Sequence, residues 1–114
     1  MPEQGVSYFK DPWSRRAKEL APGARTRTFW GEKILLSLVE IDAHAQVPNH
    51  THPHEQGGIV IEGEMEMGIG GEVRVLKPGD MYIIPGGVEH YARCGDTPAK
   101  ALDIFSPVRE EFKY

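Results

Sequence analysis

Three of the five histidines in this chain, His50, His52 and His54, fall in one short segment, PNHTHPHEQ. Residues two apart on a strand point to the same side, so His50 and His52 can present both imidazoles to one interior point. Pro53 lacks an N–H and should end the ladder there, bending the chain before it resumes at residues 57–61. Beyond the bend His54 need not stay on that side, whereas Gln56 can return to it. Neutral imidazole suits Zn, Cu, Fe and Ni, and an oxygen donor can complete the shell. A metal needs three or more convergent ligands, and His90 is the candidate from elsewhere in the chain. An exposed His-rich loop that binds nothing is the alternative, because a short His tract is only a compositional pointer to metal.

A second group with chemical potential lies in LDIFSPVREEF, residues 102–112. Asp103 and Phe105 share one face of a strand, opposite Leu102 and Ile104. If that face is interior, Asp103 sits in a low-dielectric cavity near a metal, where a general acid or base is tuned. Arg109 follows the bend at Pro107. Its planar fork can hold a substrate carboxylate, or it can pair with Asp103, Glu110 or Glu111 at the cavity mouth.

The elements that must position these groups read as strands. TRTFW, KILLSLVEI, GGIVIEG, EMEMGIGG, EVRVL, DMYIIP, HYARC and AKALDIF are short apolar or β-branched runs bounded by Gly, Pro, Asp or Asn. Residues 64–67 and 73–75 alternate, giving one wet and one buried face, and Gly70-Gly71 between them suits a two-residue hairpin turn. KPGD launches a strand, Pro85-Gly86-Gly87 makes a turn, and His90 heads the strand after it. With thirteen Gly and nine Pro, long helices are excluded. The expectation is an all-β sandwich or small barrel closed on itself. Residues 1–25, with Pro2, Pro12 and Pro22, read as an N-terminal arm with a helical turn around residues 13–20. Residues 26–114 read as one barrel domain.

A length of 114 residues fits a single core. The net charge of -4 lacks the footprint of a nucleic-acid binder. Residues 1–33 hold seven of the thirteen basic groups against four acids, which reads as a solvated arm. Cys94 is the single cysteine, so no intrachain disulfide forms and a reducing compartment is natural. The polar start MPEQGVSYFKDPW and the lack of a long apolar run predict neither signal peptide nor membrane span, hence a cytoplasmic protein.

The two histidine-bearing segments resemble the paired motifs of the cupin superfamily. HxHxxx(E/Q)x6G is matched by His50, His52, Gln56 and Gly63, and Gx5PxGxxH by Gly79, Pro85, Gly87 and His90. The resemblance implies a double-stranded β-helix, the jelly-roll barrel, with one divalent transition metal ion (Zn, Ni, Mn, Fe or Cu) held inside by His50, His52, Gln56 and His90. The family most often has Glu where this chain has Gln56, so the site's net charge would be that of the ion alone, a stronger Lewis acid. Cys94 stands where the second motif often has Asn.

The tail, with HTHPHEQ and IVIEGEMEMGIGGE, is similar to a branch of small single-domain cupins related to the pectin-degradation protein KdgF. That implies an enzyme opening the ring of the 4,5-unsaturated monouronate released by pectin or alginate lyases, with Asp103, Phe105 and Arg109 in the active site. Met65, Met67 and Tyr82 would be cavity walls or core. The chain departs from the branch at Gly57-Gly58-Ile59-Val60, where a Tyr is common, and in its arm. The resemblance also implies a homodimer and a small carboxylated substrate. A metal-dependent dioxygenase of a small molecule and a non-catalytic small-ligand-binding cupin are the competing functions.

Overall fold

The structure is a computed structural model describing residues 7–114; the first six residues of the expected arm lie outside the described residues. Ten strands follow one another: β1 (Lys18–Ala21), β2 (Ala24–Trp30), β3 (Leu35–Ile41), β4 (Gln46–His50), β5 (Glu55–Glu62), β6 (Met65–Ile69), β7 (Glu72–Leu76), β8 (Met81–Ile84), β9 (His90–Arg93) and β10 (Ala99–Ser106). They form two antiparallel sheets, of order β1-β2-β3-β10-β5-β8 and β4-β9-β6-β7. The all-β jelly-roll expectation holds, and the hairpin at Gly70-Gly71 joins β6 to β7.

Alternation along the strands makes the interior. On β3, Leu35, Ser37, Val39 and Ile41 point inward, and on β10 Ala99, Ala101, Asp103 and Phe105 do. Each fully buried Leu, Ile or Val, such as Leu35, Ile84 and Val60, stabilises the fold by about 1.5–3 kcal/mol. β10 lies between β3 and β5, with Asp103 opposite Ser37 on one side and Gly58 on the other, and Phe105 opposite Gln56. The inner face of this central strand therefore carries both polar and apolar candidates for the site.

The region expected as an arm differs from its sequence reading. In place of a helical turn around residues 13–20, a 3-10 turn spans Pro12–Ser14, capped by the Asp11 side chain, and β1 follows. The six-stranded sheet thus begins within residues 1–25. The reason is pairing: Lys18–Ala21 forms a hairpin with β2 across Pro22-Gly23, gaining ladder hydrogen bonds. The basic groups here are also not all solvated. Arg27 and Arg25 pair with Glu40, and Arg25 also with Asp42, while the Arg15 guanidinium lies 4.1 Å from the Tyr114 ring centroid.

After β10 the chain crosses the barrel mouth. A second 3-10 turn, Glu110–Phe112, is tied to β2 by the Thr28 hydroxyl, which donates to the Phe112 carbonyl at 2.5 Å. The Tyr114 hydroxyl donates to the Thr26 carbonyl at 3.0 Å. These bonds hold the segment carrying Arg109 over the cavity.

Candidate metal centre and pocket

Pairing of β4 with β9 sets His50 opposite His90, and their ring centroids lie 4.2 Å apart. His52 stands beyond the end of β4, so it arrives by the bend rather than as a strand residue; its ring is 4.9 Å from that of His90. The Pro85-Gly86-Gly87 turn fastens this bend, because the Gly87 N–H donates to the His52 carbonyl at 2.8 Å. A side chain at Gly86 would collide with the chain there: its Cβ would lie 2.3 Å from the Pro53 carbonyl oxygen. One ring nitrogen from each of His50, His52 and His90 lies within 4.8 Å of the others, so the three could hold a metal ion.

The backbone dictates how these rings are protonated. Each Nδ1 meets a carbonyl oxygen: His50 that of Pro48 at 2.8 Å, His52 that of His54 at 3.0 Å, His90 that of Val88 at 2.9 Å. A carbonyl only accepts, so each Nδ1 carries the hydrogen and each neutral ring keeps a lone pair on Nε2. Burial is the first cause that holds His90 down to about 4, and it also lowers His52, so both are neutral at neutral pH. The Nε2 of His90 is buried without a hydrogen-bond partner among the described residues.

Gln56, inward on β5, places Oε1 3.0 Å from His52 Nε2. Asp103 is its diagonal neighbour on the paired strand β10 and is held lower by the Gln56 side chain; with the amide N–H on that side, the oxygen faces the histidines. Two acceptors thus face each other, an arrangement that calls for a cation between them. Three imidazole lone pairs and one amide oxygen are a donor set that fits a divalent first-row ion.

Asp103 is buried, and desolvation holds its carboxyl up at about 6 against the hydrogen bonds from Tyr82 and Gln56, which lower it. The Tyr82 hydroxyl donates to Oδ1 of Asp103 at 2.6 Å. Phe105 meets the His52 ring edge to face at 5.5 Å and the Phe112 ring at 5.7 Å. The Arg109 guanidinium lies 4.1 Å from the Phe112 centroid and 5.0 Å from that of Phe105. Of the acidic partners considered, Glu111 takes it, accepting from Nη2 at 2.9 Å, while Nε is buried with no partner among the described residues. Arg109 is thus part of an ion pair and still keeps a free N–H.

His50, Gln56, Tyr82, His90, Asp103, Phe105, Arg109 and Phe112 line one cavity of about 350 Å³, while His52 does not. Its lining combines the polar His50, Gln56, His90, Asp103 and Arg109 with the apolar Val39, Ile41, Met65, Met67 and Phe105. His54 lends its carbonyl to His52 and does not line the cavity. Glu55 is exposed and Cys94 is buried. Sequence reasoning missed Ser37, Asn49 and Phe112, which also line the cavity. Phe112 had a signal, since it follows Arg109 by three residues and one tight turn brings both onto the same rim.

Comparison with known proteins agrees with this fold. A family model described as Cupin domain matches residues 37–105. The pectin degradation protein KdgF of Dickeya dadantii is 31% identical over 110 residues, covering 92% of this chain and 96% of that protein. The solved structure of KdgF from Halomonas sp. superposes with a TM-score of 0.84 at 27% identity, covering 93% of this chain and 98% of that one. An RmlC-like cupin from Shewanella frigidimarina superposes with a TM-score of 0.86 at 28% identity, covering 94% and 96%.

Proposed function

This chain belongs to the cupin domain family, and from that footing we propose that it is a KdgF-like enzyme that opens the ring of a small 4,5-unsaturated uronate. The observation that carries the reading is Arg109: a guanidinium packed on two aromatic rings, with a buried N–H left over, on the same cavity as Asp103, His50 and His90. Such a fork suits a carboxylate held at one end of the ligand.

The reaction is an isomerisation. The bond from C1 to the ring oxygen breaks, the anomeric hydroxyl loses its proton as the C1 aldehyde forms, and C4 gains a proton as the C5 enol becomes a ketone. No oxidant or other co-reactant is consumed. An ion bound by His50, His52, Gln56 and His90 would supply Lewis acidity toward the sugar's ring or anomeric oxygen. Arg109 anchors the C6 carboxylate. Asp103, with a carboxyl held near 6, is ionised at neutral pH yet basic enough to take the anomeric proton and return it to C4. Phe105 and Phe112 hold Arg109 in place and shield that end of the cavity from water.

The test supplies the 4,5-unsaturated galacturonate monomer to protein loaded in turn with zinc, nickel or manganese and follows loss of the enol-ether absorbance. Turnover above the spontaneous rate is expected, with Asp103→Ala slower by about 100-fold or more. A wild type that turns over nothing with any of these ions, and that Asp103→Ala matches, defeats the reading. Within the same proposal the protein is a cytoplasmic homodimer; the buried, unpaired Cys94 suits a reducing compartment.

A further inference from the structure

Three neighbouring strands bring Tyr82, Gly58 and Asp103 side by side. Gly58 of β5 is paired with Tyr82 of β8 on one side and with Asp103 of β10 on the other. A Cβ on residue 58 would lie 2.3 Å from Cε1 and Cζ of Tyr82 and 2.4 Å from Oδ1 of Asp103. Glycine therefore leaves an open lane across the middle strand, through which the Tyr82 hydroxyl reaches the carboxylate at 2.6 Å. The tyrosine is buried, and burial and the adjacent carboxylate raise its ionisation above the usual phenol range, so it remains an O–H donor.

We propose that Tyr82 is a positioning residue of the metal centre: by pinning Asp103 across Gly58, it obliges the Gln56 amide to turn its oxygen, not its nitrogen, toward the histidines. Two orientations of the Gln56 amide compete. His52 Nε2 is a lone pair, so in the ion-free site it would itself accept an N–H from a flipped Gln56 amide, and a flipped amide offers the ion no ligand. The Asp103 carboxylate, diagonal neighbour of Gln56 on the paired strand, opposes the flip, since it too can only accept. Asp103 does so as long as its rotamer is held, and the Tyr82 hydroxyl is the donor that holds it.

The proposal rests on the three histidines being a metal site and not on the uronate chemistry, so it is tested by zinc affinity without substrate. Zinc is titrated against a chromogenic chelator in wild type, Tyr82→Phe, Asp103→Ala and the double variant, with thermal melting of each ion-free protein. Tyr82→Phe should weaken zinc binding by about 10- to 100-fold while still melting cooperatively, as expected of a residue that orients a metal ligand. In the Asp103→Ala background the same substitution should cost nothing further, because its effect passes through that carboxylate. If Tyr82→Phe does not fold, Gly58→Ala decides: it keeps every hydrogen-bonding group, blocks the lane, and should show the same loss. Zinc affinity equal to wild type in the folded variant, or losses that simply add in the double variant, overturns the positioning role. A wild type that takes up no zinc overturns the metal centre, and the positioning role with it.

Discussion

A histidine that gives its Nδ1 proton to a carbonyl has its other nitrogen committed, and His50, His52 and His90 all do so toward one point. The burial that lowers His52 and His90 makes the ion-free protein sensitive to acid. Unfolded His90 takes up a proton near 6.5, while the folded one waits until about 4. The unfolded state thus binds more protons over that window, and stability falls as pH drops through it, with the lowered His52 acting in the same sense. Asp103 opposes this: its folded value of about 6 against 3.8 means that the folded state binds more protons there, so its contribution falls as pH rises. His50, His52 and Arg109 repel a proton on His90, and Tyr82 and Gln56 face Asp103. Removing the opposing group should expose the histidines' slope. Ion-free Asp103→Asn is expected to lose melting temperature more steeply than wild type between pH 6.5 and about 4, and equal slopes would contradict the assignment.

At the scale of elements, the site depends on packing that touches no ligand. Leu35 of β3 is fully buried against Phe105 and Phe112, the two rings beneath Arg109. Leu35→Ala should lower unfolding free energy by about 2–5 kcal/mol in a denaturant titration. It should also raise KM for the uronate, because a loosened Phe105–Phe112 pair no longer orients the guanidinium; an unchanged KM would separate the platform from binding. Strands with clear alternation, such as β6 and β7 around Gly70-Gly71, were legible in the sequence because period-two patterning is local. β1 was not: KELA is too short to declare itself, and its partner β2 and the turn between them stabilise it. The tail was legible to the bend at Pro107, whereas its fastening to β2 through Thr28 and Thr26 joins residues more than eighty apart.

At the scale of the whole molecule, β8 is one edge of the six-stranded sheet and β7 one edge of the four-stranded sheet. The outward face of β8 exposes Met81 (74%) and Ile83 (67%), large apolar side chains on a sheet edge of the kind that marks an association surface. If the homodimer forms there, Met81→Lys with Ile83→Lys should halve the mass seen by light scattering and leave zinc binding intact; a wild type that is already monomeric rejects it. The sequence by itself determined the strand-rich class and the two histidine-bearing motif segments, because turn residues, alternation and histidine spacing are written within a few positions of each other. Only the tertiary structure decided the rest: that Arg109 pairs with Glu111 and not Asp103, that Phe112 supports it, and that Tyr82 meets Asp103 over Gly58. Those contacts arise from strand register and sheet order, which bring together β5, β8 and β10 from distant parts of the chain, and local spacing contains no record of them.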